Sequence, residues 1–289
     1  MPPVSLYSRA STHRAVHEIT KAVKLVFASA TVSLDGQADI QWPANGKVIS
    51  AQICNELNIE GNLFIAKHFY DIGQGPSQLT PVNNYQNLHA ELQHAIEGTH
   101  FLKKFYEHAE QLNQEVSKGF CFVEARLAKE IHDIDINEYP SKASGLGPDD
   151  VDDDTYNCGA YWLIEPCRNI AVKKWTGTMS HRLSGFGQED KTLSAFVHFV
   201  WHYTNSSVVL ADLQSTLIIG EQSGHTIHEL FDYMTHTYEG NSGVGDHGEE
   251  GLQLPIVKHK NMQFVAAPSK HGNESKEEEG KIPDGVDDD

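Results

Sequence analysis

The sequence predicts an α+β protein folded as two lobes, and three observations carry that prediction. Short β-type runs punctuated by Gly and Asn fill the first quarter of the chain. A long run with helical spacing follows, and beyond residue 160 strand-type and helix-type segments alternate. At 289 residues the chain is long enough to bury one large core or two smaller ones.

Residues 1–21 are polar and without pattern, and are set apart as a polar N-terminal segment. Three strand-type runs come next: VKLVFASATVSL, GKVISAQICNEL and GNLFIAKHFYDIG. Gly36, Asn45-Gly46 and Glu60-Gly61-Asn62 separate them as turns, so the expected arrangement is an antiparallel meander. Residues 73–81 read as a loop. From Asn84 to Leu112, apolar residues recur at helical spacing (Leu88, Leu92, Ala95, Leu102, Phe105, Ala109), with Gly98 as a point of bending or breakage. GFCFVEARLAKEI reads as a strand passing into a helix. Residues 137–154 form a loop rich in Pro, Gly and Asp.

In the second half, GAYWLIEP is an apolar strand ended by Glu165-Pro166, and the lobe junction is placed near Ala160–Pro166. NIAVKKWTG is a strand, LSAFVHFVWHYT a buried helix, and SSVVLADLQ a strand. Thr226–Thr237 reads as a short helix or an irregular segment. GNSGVGDHGEEG is a glycine-rich loop, and GLQLPIVKH starts a last helix that Pro255 keeps short. Residues 266–289 have the composition of a disordered acidic tail.

Net charge is −18, concentrated in Asp149–Asp154 and Glu274–Asp289. That balance excludes a nonspecific nucleic-acid binder, which needs a Lys/Arg surface, and leaves room for a basic peptide partner. Cys54, Cys121, Cys158 and Cys167 include no CxxC pair, so the expectation is reduced thiols in a cytoplasmic protein. No run approaches the ~20 apolar residues of a membrane span, and no membrane partner is expected.

Asp212 and Gln214 at the end of a strand, with Asp232 twenty residues on, supply oxygen donors suited to Mg²⁺ held against phosphates. Strand alternation puts Asp212 and Gln214 on one face; the ordinary alternative is a pair of solvated polar residues. Lys67 lies in the apolar run FIAKHFY and must reach water, a carboxylate or an anionic ligand. Glu91 is a candidate counter-ion on the long helix, and Glu97 could serve equally. Glu165 closes a strand at the lobe junction, where it could accept from an adenine amino group, and Lys174 follows nine residues later. The glycine loop (Gly240, Gly243, Gly245, Gly248, Gly251) lacks Gly-Lys-Ser/Thr and does not open a helix after a first strand. It is therefore neither a Walker P-loop nor a Rossmann turn.

Taken in order, FIAKHFY, YWLIEP, VKKWTG, AFVHF, LADLQ and GVGDHGEEGLQ…H resemble the alpha-kinase family of atypical protein kinases, from about Asn62 to His259. The GDHGEEG form of the loop looks most like fungal members. The resemblance implies a two-lobed protein-kinase-like fold over residues 22–265, with an N-lobe of about 22–160, a C-lobe of about 161–265 and a nucleotide cleft between them. It implies ATP and Mg²⁺ as cofactors and a Ser/Thr protein kinase activity. By the same resemblance Lys67 and Lys174 hold phosphates, Glu165 lies near adenine, Asp212 is the catalytic aspartate, and Gln214 and Asp232 are the Mg²⁺ ligands. Gly243, Gly245 and Gly248 belong to a loop for nucleotide or peptide, and Asp246, where the family often has Asn, assists metal or phosphates.

The chain departs from the family at two places. The family's zinc site would use His198 and His259, but Asn261 and Val265 stand where its two cysteines belong, so a full zinc site is not expected. Ser215 replaces the Gly that usually follows DLQ, and its side chain is expected to crowd the loop. Two functions fit these departures: an active alpha-type kinase, or a nucleotide-binding module with weak or no catalysis. A metal hydrolase built on the Asp/His set is a third reading, and it lacks a dense ligand motif.

Overall fold

The computed structural model describes residues 23–53, 57–59, 62–67, 81–131, 160–168, 171–179, 185–220 and 224–253. In chain order its elements are β1 (Val23–Phe27), β2 (Ser29–Val32), β3 (Ala38–Gln41), β4 (Ile49–Ile53), β5 (Leu57–Ile59), β6 (Asn62–Lys67), α1 (Pro81–Gln111), β7 (Phe120–Phe122), β8 (Arg126–Ile131), β9 (Tyr161–Pro166), β10 (Lys173–Lys174), α2 (Gln188–Tyr203), β11 (Val209–Ala211), β12 (Gln214–Ile219), β13 (Thr226–Phe231), β14 (Met234–His236) and α3 (Gly248–Gln253). The mixture of sheets and helices is the α+β class expected.

Six of these strands close a barrel in the order β1-β4-β5-β6-β9-β8, every pairing antiparallel. The meander expected of the first half is present as β4-β5-β6, but the run VKLVFASATVSL divides. Its first half is β1, in the barrel; its second half is β2, which leaves to pair with β3. Leu25, Ala128, Trp162 and Ile164 are buried in the barrel core. A second sheet, ordered β10-β12-β13-β7, carries the other core, and β7 joins it parallel to β13.

α1 ties the two cores together. Leu88 and Leu92, near its start, pack with Leu127, Tyr161 and Leu163 of the barrel strands. Phe101, Leu102 and Phe105, later on the same stripe, pack with Phe196 and Phe199 of α2 and with Leu210 and Leu213. Phe105 and Phe196 have ring centroids 5.6 Å apart, and both are fully buried. Burying each such ring contributes about 1.5–3 kcal/mol. The helix runs unbroken through Gly98, so that glycine is not a breaker. Its lack of a side chain admits Phe122 and Tyr233 instead.

α2 begins with Glu189 and Asp190 in its first turn and has His202 in its last, the placement the helix dipole favours. Asn205 and Ser206, both at positive φ, turn the chain out of the helix toward β11.

Two segments differ from the sequence reading. RLAKEI was expected to be helical but is the strand β8, because β1 and β9 offer it a ladder on each side. Thr226–Thr237 was expected to be a short helix or irregular, but it forms β13 and β14, paired along their lengths with β12 and β11. Long-range pairing partners override weak local preference in both cases.

Candidate active site

Two strand breaks stand opposite each other. β11 pairs with β14 through Ala211↔Met234, and β12 pairs with β13 from Gln214↔Phe231 onward. Between those ladders Asp212-Leu213 faces Asp232-Tyr233. Both aspartates adopt left-handed backbone, φ 52° and 47°. Asp tolerates that region better than most residues, at some cost, and such paired strain is typical of a functional site. The break also overturns the alternation argument: Asp212 is not a strand residue, so it does not share a face with Gln214 by period two.

The register brings these residues together in another way. Lys174 of β10 pairs with Gln214, and its Nζ stands 2.6 Å from Asp212 Oδ1. Backbone bonds hold the break in place: Asp212 N–H donates to Gly177 O at 3.2 Å and Leu213 N–H to Thr176 Oγ1 at 2.8 Å. Asp212 is 1% exposed, and its Oδ2 has no hydrogen-bond partner among the described residues. A buried carboxylate oxygen without a partner is costly unless a proton or a cation meets it.

Asp232 lines a cleft together with Glu91 and His94 of α1, Glu165 of β9, and the aromatic residues Phe231 and Tyr233. Carboxylates from three separate elements therefore line one space, and that of Glu165 is paired with Arg168. By sequence Glu91 and Glu97 serve equally as the candidate counter-ion on this helix. The structure separates them: Glu91 lines the cleft, whereas Glu97 Oε1 accepts from Ala38 N–H, and burial raises its pKa. Lys67 ends β6 opposite Leu163, on the strand adjacent to the one bearing Glu165.

Among the described residues no cluster of three or more His, Cys, Asp or Glu side chains is arranged to hold a metal by itself. Mg²⁺ bound to a nucleotide does not need one. It takes one or two protein carboxylates and fills its octahedron with phosphate oxygens and water. Asp232 and Gln214, beside the same break, supply oxygen donors that fit that requirement and leave the unpaired Asp212 Oδ2 clear of it.

In the glycine loop, Gly243, Gly245 and Gly248 all have positive φ. A Cβ on Gly245 would stand 2.5 Å from Met234 Sδ, so the Met234 side chain would have to shift, and the φ of 90° strains any other residue there. Asp246 is used within the loop. Its Oδ1 accepts from Thr237 N–H and Gly248 N–H, and its Oδ2 from Ser242 N–H and from the hydroxyls of Thr237 and Ser242. Burial alone would raise its pKa, but these bonds outweigh it and hold the carboxyl down at about 2. The geometry gives Asp246 an organising task in the loop.

Residues 43–265 match the alpha-kinase family model. The chain belongs to the alpha-kinase family. Among solved structures, the apoenzyme alpha-kinase domain of myosin-II heavy chain kinase A aligns at 12% identity, over 84% of this chain and 94% of that one, with a TM-score of 0.51. The same kinase domain in complex with AMP aligns at 13% identity, over 84% and 97%, with a TM-score of 0.50. An alpha kinase from Entamoeba histolytica aligns at 16% identity, over 82% and 87%, with a TM-score of 0.49. At these identities the structural likeness speaks to fold alone, and the fold is that of an alpha-kinase domain. No curated protein sequence matches the chain.

Compared with the alpha-kinase pattern, Ser215 does not crowd its surroundings as expected. It is a fully buried member of β12. Trp175 Nε1–H donates to its Oγ at 2.9 Å, and its hydroxyl meets His228 Nδ1 at 3.0 Å. His228 Nε2 lies 3.3 Å from Glu189 Oε2, at the start of α2. Burial lowers the His228 pKa, and the Glu189 charge opposes that. Lys173 covers the Trp175 ring at 3.4 Å and also reaches Glu189. The network fastens β10, and therefore Lys174, to α2. Restoring glycine by Ser215→Gly should cost on the order of 3 kcal/mol, because it leaves a buried indole N–H and an imidazole nitrogen unpaired. Urea unfolding checks this, and wild-type stability would rule the network out as a brace.

Arg168 was missed from sequence. Its guanidinium pairs with Glu165 and lies 3.9 Å over the ring of Phe231, the residue before Asp232. It thereby joins the junction strand to the Asp232 break. The signal available was the Glu165/Arg168 spacing of three across a proline. His198 sits partly buried on α2; His259, Asn261 and Val265 lie outside the described residues.

Burial pushes the His94 imidazole down to about 4 from 6.5, against the Ser242 backbone and the Asp246 charge, which favour its proton. Between those values the unfolded chain binds the proton and the folded chain does not. Stability is therefore full above about pH 6.5 and falls as pH drops toward 4. His94→Gln should remove about 2 kcal/mol of the loss between pH 7 and 5. Denaturant midpoints at the two pH values decide it, and parallel losses in both proteins would refute it.

Proposed function

We propose that this alpha-kinase-family chain is an active Ser/Thr protein kinase, transferring the γ-phosphoryl group of ATP to a protein hydroxyl with Mg²⁺. The observation that carries the reading is the Asp212 break. One buried aspartate with an unpaired oxygen, a lysine on it, and a second aspartate and a glutamine beside it are fixed by two ladders and one edge strand. The myosin heavy chain kinase A domain has been solved with AMP, which supports a nucleotide as the ligand of the fold.

Phosphoryl transfer needs positioning and charge neutralisation more than covalent help. Asp212 orients the acceptor hydroxyl and takes its proton at Oδ2. Lys174, half exposed, stands against the Asp212 carboxylate and is long enough to turn toward a phosphate. By the alpha-kinase pattern Lys67, the last residue of β6, is the phosphate lysine, and Glu165 of β9 is the residue nearest adenine. Gln214 and Asp232 would hold Mg²⁺, which supplies positive charge to the triphosphate when bound. A basic protein segment is the preferred acceptor, given a net charge of −18, and the reaction is placed in the cytoplasm.

Full-length protein with γ-labelled ATP, Mg²⁺ and a generic basic protein tests the reading. Label appearing on Ser or Thr of the acceptor is expected. Nucleotide binding without any transfer would overturn it in favour of a binding module.

A further inference from the structure

His94 lines the same cleft and belongs to a hydrogen-bonded chain that runs into the glycine loop. His94 Nε2 lies 3.0 Å from Thr235 Oγ1, Thr235 Oγ1 lies 2.7 Å from Ser242 Oγ, and Ser242 Oγ lies 2.7 Å from Asp246 Oδ2. The chain has a direction, because its last member is a carboxylate and can only accept. Ser242 gives its proton to Asp246, so Thr235 must give its own to Ser242. Thr235 Oγ1 is then left to accept, and His94 must carry its proton on Nε2. No other distribution puts a proton in all three contacts.

The consequence falls on the other ring nitrogen. Nδ1 is a bare acceptor, buried, with no partner among the described residues. Glu91, three residues earlier on α1, and Asp232 line the cleft with it. Both carboxylates accept hydrogen bonds and neither can supply one to Nδ1 when ionised. A buried acceptor bears its full desolvation cost until a donor meets it. The loop packs against the ring edge between the two nitrogens: a Cβ at Gly243 would come within 3.2 Å of His94 Cε1.

We propose that His94 is a further binding residue of the cleft, its Nδ1 accepting a hydrogen bond from an O–H or N–H donor of the bound Mg²⁺–nucleotide, and that Asp246 acts as its positioning residue through Ser242 and Thr235. The proposal rests on the nucleotide reading above. The donor is a group of the nucleotide itself or a water on its Mg²⁺, since Mg²⁺ retains several waters when bound. Asp246 matters here as Asp. In Asp246→Asn an amide N–H₂ replaces Oδ2 and donates to Ser242, which reverses the chain, places the proton on Nδ1 and turns the acceptor into a donor. It also sets an N–H against Ser242 N–H, so this variant is less stable.

Two substitutions of His94 separate the roles of its nitrogens. Gln places its amide nitrogen where Nε2 was and offers nothing at Nδ1; Asn places its oxygen where Nδ1 was and gives up the bond to Thr235. Calorimetric titration of the full chain with MgADP should show His94→Gln binding about 3- to 10-fold more weakly than wild type and His94→Asn within about 2-fold of it. Repeating the titration with ADP in EDTA locates the donor. A Gln defect that persists places it on the nucleotide, and a defect seen only with Mg²⁺ places it on a metal-bound water. Imidazole ¹⁵N spectra should show Nε2–H in wild type, Nδ1–H in Asp246→Asn, and a shift of Nδ1 on adding MgADP. Equal affinities of His94→Gln and wild type, or an Nδ1 signal indifferent to MgADP, would overturn the proposal and leave a resident water as the partner. A wild-type chain that binds no MgADP would instead overturn the nucleotide reading beneath it.

Discussion

Asp212→Asn is expected to lower phosphoryl transfer by about 10²- to 10⁴-fold, the range a positioned general base supplies, while MgATP binding stays within a few fold. Asparagine matches aspartate in shape and tolerates left-handed backbone, so the φ of 52° at this position is retained. Alanine would be a poorer probe, since it adds a cavity and strain at a fully buried break. What asparagine removes is the negative charge beside Lys174 Nζ and the oxygen that can take a proton. Initial rates with labelled ATP, read together with a thermal melt, separate chemistry from folding. Transfer at the wild-type rate in a folded Asp212→Asn protein would remove Asp212 from the mechanism. Lys174→Met is the companion variant: it strips the carboxylate of its one described counter-charge, and activity should fall with it.

How much of this was legible in the sequence depends on what kind of interaction fixes each residue. α1 and α2 were readable because one stripe of each meets a core, and the 3.6-residue period records that directly. β9 was readable as an uninterrupted apolar run because it is buried along nearly its whole length. β8 and β13 were not, since RLAKEI and TIHELF have ordinary local preferences and become strands only because partners distant in sequence lie on both sides. The candidate site shows the same division. Asp212, Gln214 and Asp232 stood out by residue type, but the positive φ that lifts both aspartates out of their strands leaves no trace in composition. The part played by Asp246 depends on hydroxyls contributed by Thr237 and Ser242 and on two further side chains reaching back to α1. No spacing rule brings His94 and Asp246 together across 152 residues.

Gly98→Leu is expected to cost at least about 3 kcal/mol, at the upper end of overpacking penalties, and to weaken nucleotide binding as well. Gly98 lies in the middle of α1, where alanine would normally gain about 1 kcal/mol over glycine. Here a Cβ would stand 2.8 Å from both Phe122 Cε1 and Tyr233 Oη. Neither neighbour can yield easily. Phe122 packs edge-on against Tyr233 with centroids 5.1 Å apart, and the Tyr233 hydroxyl donates to His94 O one turn back on the helix. Even Gly98→Ala should therefore be destabilising, by about 1–2 kcal/mol, reversing the sign that helix propensity predicts. The penalty reaches the cleft because Tyr233 and Phe122 line it together with Glu91 and His94. Pushing α1 outward moves those two side chains away from Asp232. A double-mutant cycle with Phe122→Leu tests the mechanism: the smaller side chain should recover part of the loss from Gly98→Ala, giving a coupling energy of about 1 kcal/mol. Urea unfolding of the four proteins measures it. A Gly98→Ala protein more stable than wild type would show that α1 does not approach Phe122 and Tyr233 this closely.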